Sequence, residues 1–359
     1  MDSHSDHSKL DCLPVELLRI IVLFISERGS LKSLSRVNRL LQQLCVPFLF
    51  QTLQVGFSIP ELDRLLRVAK SQFAPYVRAI NYWASALVDP FAGSWETFHT
   101  CLYPQVEFAR DRIDPNGMRN DGRFTYRSLF SYFHQRCREQ QDILETEQDT
   151  RTLIASLPCF ANLHTIQLLF ADGIEDRFQW LANWMLLDGH PLFPNHLERL
   201  LTAVVVAREN DVTIRTFEIR GFYSRAVTKD RFLQQLAGEA LSSVEELRLV
   251  DSPAMLAFVN QVPFPCLRRV ELTNCWLSIP TLEEFTRLHS GGLESIHLEN
   301  TWVLEETVDA DGIHMSMGCT KSILDQLTRI PGAGHLRLTI NRLPEGGYEA
   351  QIKGNFPEH

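Results

Sequence analysis

Two hydrophobic rhythms divide the chain. From Leu13 to Leu44 apolar residues recur at helical spacing: Leu17, Leu18, Ile21 and Ile25 within "LPVELLRIIVLFI", then Leu31, Leu34, Val37, Leu41 and Leu44. Pro14 suits a first helical turn. The pattern predicts three amphipathic helices, over 13–25, over "SLKSLSRVNRLLQQL" and over "PFLFQTL". Glu16 and Arg19 interrupt the opening stretch, which falls short of the roughly 20 apolar residues of a membrane span. The leader "MDSHSDHSKLD" lacks the basic region of a signal peptide. Three helices in about 40 residues bury only a small core. Their outer stripe therefore needs something to sit against.

The second rhythm is a repeat. "LRRVELTNCWL" (267–277) resembles the leucine-rich-repeat template, with Val270 for its second leucine and Cys275 at the Asn/Cys place. "LESIHLENTWV" (293–303) puts Thr301 there, and "VEELRLVDSPA" (244–254) carries the same apolar positions. Weaker copies stand at 214–219, 163–168, 77–82 and, as "HLRL", 335–338. Starts at 244, 267 and 293 keep the spacing of about 20–29 residues that such units need. Between them lie helical patterns. "KDRFLQQLAGEAL" would bury Phe232, Leu233, Leu236, Ala240 and Leu241. "PTLEEFTRLHSGG" would bury Leu282, Phe285 and Leu288 and cap at Gly291. "TKSILDQLTRIPG" would bury Ile323, Leu324 and Leu327. Strand-plus-helix units bury their apolar sides only by stacking. The expected fold is α/β: a curved solenoid with parallel strands inside and helices outside, preceded by the small helical unit. Alternation around Pro344-Glu345-Gly346-Gly347 predicts an antiparallel hairpin at the end.

Residues 84–150 interrupt the repeats with loop formers and aromatics, then a helical pattern at Tyr126, Leu129, Phe130, Phe133 and Cys137. Glu107 to Arg127 holds five arginines against four acidic residues. That balance, with a net charge of -9, favours a packed insertion over a nucleic-acid surface. The eight cysteines form no C-x-x-C pair and no glycosylation sequon occurs. A reduced cytoplasmic or nuclear setting with buried free thiols is expected.

Motifs for chemistry are absent or incomplete. There is no phosphate loop and no H-E-x-x-H pair. In "HMSMG" (314–318) His314 stands where a nucleophile elbow needs glycine. "DADG" (309–312) begins a calcium-loop rhythm without its later ligands, and reads as a solvated turn. Cys275 reads as an inert buried thiol, and His297 as a surface contact. No catalytic residue, metal site or cofactor is expected. The residues between apolar strand positions would form the open face instead: Arg248, Arg269, Glu271, Ser295 and His297, with Trp276 and Trp302 beyond them. Aromatics beside charges suit a protein-binding hot spot, and Arg248, Glu271, Trp276, His297 and Trp302 are the candidate target contacts. Packing of both indoles between adjacent turns is the competing reading.

Leu13-Pro14, Glu16-Leu17-Leu18, Ile21, Ile25, Leu31, Leu34, Val37 and Leu44, closed by "VPFLF", resemble an F-box. This helical motif docks on the adaptor subunit of cullin–RING ubiquitin ligases. Leu41 replaces its usual tryptophan, and "SERGS" is one residue longer than the usual first loop. The arrangement looks like the F-box and leucine-rich-repeat proteins of filamentous fungi. The resemblance implies a leader over 1–11, an F-box over 12–55 and a repeat domain over 56–359. It implies a substrate receptor that binds the adaptor, through it a cullin, and an unidentified protein target, with neither nucleic acid nor membrane as partner. Adaptor contacts would fall to Leu13, Pro14, Leu17, Leu18, Ile21, Val37, Leu41, Leu44, Pro47 and Phe50. The alternative is a leucine-rich-repeat scaffold outside any ligase, its first helices a lid. A lid buries Leu13, Leu17, Ile21 and Val37, whereas a docking module leaves that stripe open.

Overall fold

The computed structural model describes residues 13–25, 27–112, 124–171, 173–187, 193–223, 230–299, 301–309, 312–318, 337–342 and 348–353. The leader and the 320–332 helix pattern lie outside them. The chain opens with helices α1 (Val15–Phe24), α2 (Arg28–Leu34) and α3 (Arg39–Phe50). The pattern at 30–44 is thus two helices and not one. Asn38 divides them, because its side chain accepts a hydrogen bond from the Leu41 amide (2.8 Å) and caps α3. "PFLF" ends α3, and what was expected as a third helix turns at Gln51 into strand β1 (Thr52–Gly56). The residues facing inward among these helices are Val22, Leu31 and Cys45, with Ile25, Leu34, Leu44, Phe48 and Leu49 around them.

The remaining order is α4 (Ile59–Ala69), β2 (Ala79–Ser85), then α5 (Trp95–Thr97), α6 (Gln105–Arg112), α7 (Tyr126–Thr146) and α8 (Gln148–Ser156). It continues with β3 (Thr165–Ala171), α9 (Ala182–Met185), α10 (Phe193–Glu209), β4 (Thr216–Arg220), α11 (Arg231–Ala240), β5 (Glu246–Val250) and α12 (Pro253–Val259). Last come β6 (Arg269–Thr273), β7 (Trp276–Ser278), α13 (Ile279–Leu288), β8 (Ser295–Glu299), β9 (Trp302–Asp309), β10 (Gly312–Gly318), β11 (Arg337–Arg342) and β12 (Tyr348–Lys353).

β1, β2, β3, β4, β5, β6 and β8 pair in parallel, each with the next in sequence, so the protein is α/β with a parallel sheet. β12 adds antiparallel to β8, and β11 to β12, as the alternation at the end predicts. "HLRL" is therefore no repeat: Arg337 and Leu338 belong to an outer antiparallel strand. A second sheet runs β10-β9-β7.

Strand alternation sorts the side chains. Two rows point under the helices: Leu53, Ile80, Ile166, Phe217, Leu247, Val270 and Ile296, then Val55, Tyr82, Leu168, Ile219, Leu249, Leu272 and Leu298. All are buried, and with residues of α4, α8, α10, α11, α12 and α13 they form one continuous core.

Three backbone devices recur along the sheet. The carbonyl before each strand accepts two successive amides of the next: Gln51 from Arg78 and Ala79, Arg78 from His164 and Thr165, His164 from Arg215 and Thr216. Arg215, Glu245 and Arg268 continue the series. The residue after β4, β5 and β6 (Gly221, Asp251 and Asn274) takes a positive φ of 76°, 49° and 53°. Glycine, Asp and Asn tolerate that region best. Each of the three donates its amide to a carbonyl at the end of the following strand, Val250, Thr273 and Glu299, at 2.9 Å. Two residues after β5, β6 and β8 end, Ser252 donates to Ile219 O (3.3 Å), Cys275 to Leu249 O (3.4 Å) and Thr301 to Leu272 O (3.0 Å). This is the Asn/Cys place of the template, so a small donor there ties the segment after β5, β6 and β8 to the strand before it. Burial pushes the Cys275 thiol up to about 11, an unreactive thiol at neutral pH.

The corner at Gly221 yields a test. A Cβ there would stand 2.6 Å from the Phe170 carbonyl oxygen, at a φ disfavoured for any side chain. Gly221→Val should cost about 3 kcal/mol, read as a lowered urea midpoint. Asp251→Gly, at an equivalent corner, should be near neutral.

Two helices sit slightly out of the phase expected from the sequence. Phe232 is 62 % exposed and Leu288 43 %. Ala237 takes an inward place on α11, and His289, the cap of α13, is buried with Leu282 and Phe285. His289 Nδ1 lies 2.8 Å from the Phe285 carbonyl and Nε2 3.2 Å from the Val262 carbonyl, which gives it polar partners inside.

Candidate interaction surfaces

The first surface is on α1. Helix geometry turns Leu18 and Val22 inward, leaving 2 % and 0 % of their surfaces open. Leu17, Ile20, Ile21 and Phe24 face out, at 47, 48, 38 and 84 % exposure. Leu23, Val37 and Leu40 are also exposed. α1 thus keeps an open apolar stripe, and burial of such a stripe is worth roughly 25 cal/mol per Å². Of the residues expected to meet an adaptor, Leu17, Ile21, Val37 and Pro14 are exposed, and Leu13, Leu44 and Pro47 half-buried. Leu18 and Leu41 need correction: both are buried, so they support the helices from within and offer no contact surface. Phe50 is half-buried and stacks on Phe73 (centroids 4.3 Å, 9° between planes), which fastens α3 to the main body.

The second surface is the face of the sheet that no helix among the described residues covers. Its outward positions on β1, β2 and β3 are Thr52, Gln54 and Gly56, Ala79, Asn81 and Trp83, and Thr165, Gln167 and Leu169. None of these nine is charged, and none is buried. On β4, β5, β6 and β8, seven of the twelve equivalent positions are charged. Arg248, Glu271 and His297, expected as separate contacts, stand side by side in one cross-strand row. The charges of Arg248 and Glu271 are satisfied internally. Arg248 pairs with Glu246 (2.8 Å) and Glu271 (3.2 Å), and these carboxylates outweigh its partial burial to raise its already high pKa. Glu218 is buried on this open face because Gln167 (2.9 Å) and Arg220 (3.0 Å) cover both of its oxygens.

Trp276 pairs in register with Trp302 across β7 and β9, which places the two expected tryptophans on neighbouring strands. The Trp276 side chain is 46 % exposed, so it is not packed away between turns. The Trp302 side chain lies outside what the structure describes.

A third feature is a cleft of about 560 Å³ at the amino-terminal rim of β3 to β6. His164, Arg215, Glu245 and Arg268 line it with Asp211, Glu246 and Arg269, a mixture of both signs. Burial, Arg78 and Arg215 together lower the His164 pKa, which keeps the ring neutral at pH 7.

Insertion residues Phe98, Tyr103, Tyr126 and Phe133, after β2, build a separate aromatic core with Phe178 from the segment after β3, a packed unit as the insertion's near-neutral composition suggests. Gln140 joins it to the sheet, accepting from the Val88 amide (2.8 Å) and donating to the Ala86 carbonyl (3.1 Å). Beneath lies a buried polar cluster that sequence reading missed. Asp149 is fully buried and paired with Arg199 at 2.7 Å, and the Tyr82 hydroxyl lies 3.3 Å from His196 Nδ1. Burial drives the His196 pKa down to about 4, with Arg199 acting the same way and Asp149 against it. Free histidine titrates near 6.5. Between those values the unfolded chain binds more protons than the folded one, so stability rises with pH across the window. The contribution is intact above pH 6.5 and lost by about pH 4, about 3 kcal/mol in all. Urea midpoints measured at pH 7 and pH 5 should differ less in His196→Asn than in the wild type.

Among the described residues, no helix is long and apolar enough to cross a membrane, and no group of three or more His, Cys, Asp or Glu is placed to hold a metal ion. No protein-family model matches the chain, and no curated protein matches its sequence.

Proposed function

We propose that this protein is the substrate receptor of a cullin–RING ubiquitin ligase. α1, α2 and α3 act as an F-box that docks on the adaptor subunit. The sheet and its helices act as an irregular leucine-rich-repeat solenoid that holds a protein target. The observation that carries the reading is the open apolar stripe Leu17, Ile20, Ile21 and Phe24 on α1, while the end of α3 is fastened to the body through Phe50. A lid would turn that stripe inward; a docking module leaves it for a partner.

The repeat reading draws support from the recurring carbonyl series, from the left-handed corners after β4, β5 and β6, and from the Ser252, Cys275 and Thr301 tie after β5, β6 and β8. The receptor has no catalytic residue in this account. It accelerates transfer by holding target lysines near an activated ubiquitin carried elsewhere in the assembly, a gain in effective concentration. Co-purification with the adaptor from the same cell type tests the proposal. The wild-type chain should bring it down stoichiometrically. Leu13→Ala, Pro14→Ala should weaken capture, and a folded wild type that captures none leaves a repeat scaffold without a ligase.

A further inference from the structure

The three opening helices differ from the rest of the chain in charge as well as in their open apolar stripe. Between Leu13 and Phe50 stand five cations, Arg19, Arg28, Lys32, Arg36 and Arg39, against the two carboxylates Glu16 and Glu27. The whole chain carries a net charge of -9, so this is a cationic unit on an acidic protein. All seven charged residues are exposed. Around α1, Glu16 and Arg19 fall on the same flank of the stripe, beyond Ile20, and balance each other. The surplus of positive charge lies on α2, on the turn after it and at the start of α3.

These cations are also unused. Among the described residues, none of the five is ion-paired with a carboxylate. Arg28 reaches only the Leu49 carbonyl (3.3 Å), and Glu27 accepts from the Ser30 hydroxyl (2.5 Å). On the main body, by contrast, Arg199, Arg220 and Arg248 hold carboxylates at 2.7, 3.0 and 2.8 Å. The free cations follow the open apolar residues along the chain. Arg19 adjoins Ile20, Arg36 adjoins Val37 and Arg39 adjoins Leu40, all three of them exposed. When such apolar residues pack against a partner, the neighbouring charges come to the rim of the interface. Rim charges act chiefly on the rate of approach and on the choice of partner. Opposite charge on the partner's rim attracts them, whereas like charge is costly there. The negative balance of the rest of the chain repels an acidic partner from every other side, so the same pattern also orients it.

We infer that the surface receiving α1 is an apolar groove with an acidic rim, and that Arg28, Lys32, Arg36 and Arg39 steer it into place. The inference rests on the receptor reading and adds to it the chemistry that the adaptor must present.

The test follows association of purified adaptor with the immobilised full chain by biolayer interferometry. The association rate should fall about tenfold between about 50 and about 500 mM sodium chloride. At the lower salt, Lys32→Glu, Arg36→Glu should slow association about tenfold and change dissociation by less than about twofold. Arg138→Glu, Arg287→Glu makes the same change in net charge at exposed positions on α7 and α13. It should slow association by less than about twofold. Thermal unfolding of both variants at the wild-type temperature, expected for exposed positions, separates lost steering from lost fold. Capture that ignores both salt and Lys32→Glu, Arg36→Glu would overturn the inference and leave the receptor reading intact. Equal slowing by the two variants would overturn it too, because net charge and not this face would then decide. No capture by the folded wild type would sink the inference and the receptor reading together. Cosedimentation with vesicles of phosphatidylcholine and phosphatidylserine, lost in Lys32→Glu, Arg36→Glu, would overturn the inference by assigning the cations to an acidic lipid surface.

Discussion

Ile20→Asp, Phe24→Asp should abolish binding to the ligase adaptor while leaving the protein folded. Both side chains point outward, at 48 and 84 % exposure, so a carboxylate at either site remains solvated in the free chain. In the complex the same carboxylates would be buried without partners, a penalty of several kcal/mol. A loss of affinity of at least 100-fold, about 3 kcal/mol, is expected by titration of purified adaptor. Urea midpoints should stay near wild type, because exposed substitutions of this kind typically shift stability by no more than about 0.5 kcal/mol. The contrasting variant is Val22→Asp, which places charge among Leu31 and Cys45 and should unfold the three helices before binding is tested. If the double aspartate variant bound as tightly as wild type, α1 would not be the docking element.

The largest stability effect should come from the buried ion pair. Arg199 leaves 21 % of its side chain in solvent, whereas Asp149 leaves none. Removing the arginine strands a carboxylate with no water and only a long contact from the neighbouring Thr150 hydroxyl, at 3.4 Å. Removing the aspartate strands a cation that can still reach solvent. Arg199→Ala should therefore cost about 4 kcal/mol, and Asp149→Ala measurably less. Equal losses in the two variants would mean that the pair is not desolvated as described.

Much of this architecture was legible because the repeat template is a physical rule. Apolar positions at 247 and 249, 270 and 272, and 296 and 298 must share a buried face once they lie on strands, and they do. The donors Cys275 and Thr301 were marked by position alone, and the structure supplies their reason and adds Ser252 to them. β1 escaped notice because "TLQVG" has only two inward residues and follows a helix without a turn signal. The break before α3 carried a signal in Asn38, a residue suited to an N-cap, that was passed over.

Surface properties were less visible. Phe232 and Leu288 fit the helical period as well as their buried neighbours, and only packing decides which side of a wide stripe is covered. Arg248, Glu271 and His297 were named as contacts for being polar and outward, but their mutual pairing depends on cross-strand register. Trp83 was missed for the opposite reason. A run of positions without charge has no motif, and it emerges only when three strands are laid side by side.

The central claim is that the first three helices are a docking module, and sedimentation velocity on the wild-type full chain with purified adaptor tests it most directly. The account predicts a single faster-sedimenting species at one-to-one stoichiometry, formed at low micromolar concentration or below. Two independent boundaries, from a chain whose thermal unfolding shows it to be folded, would contradict it.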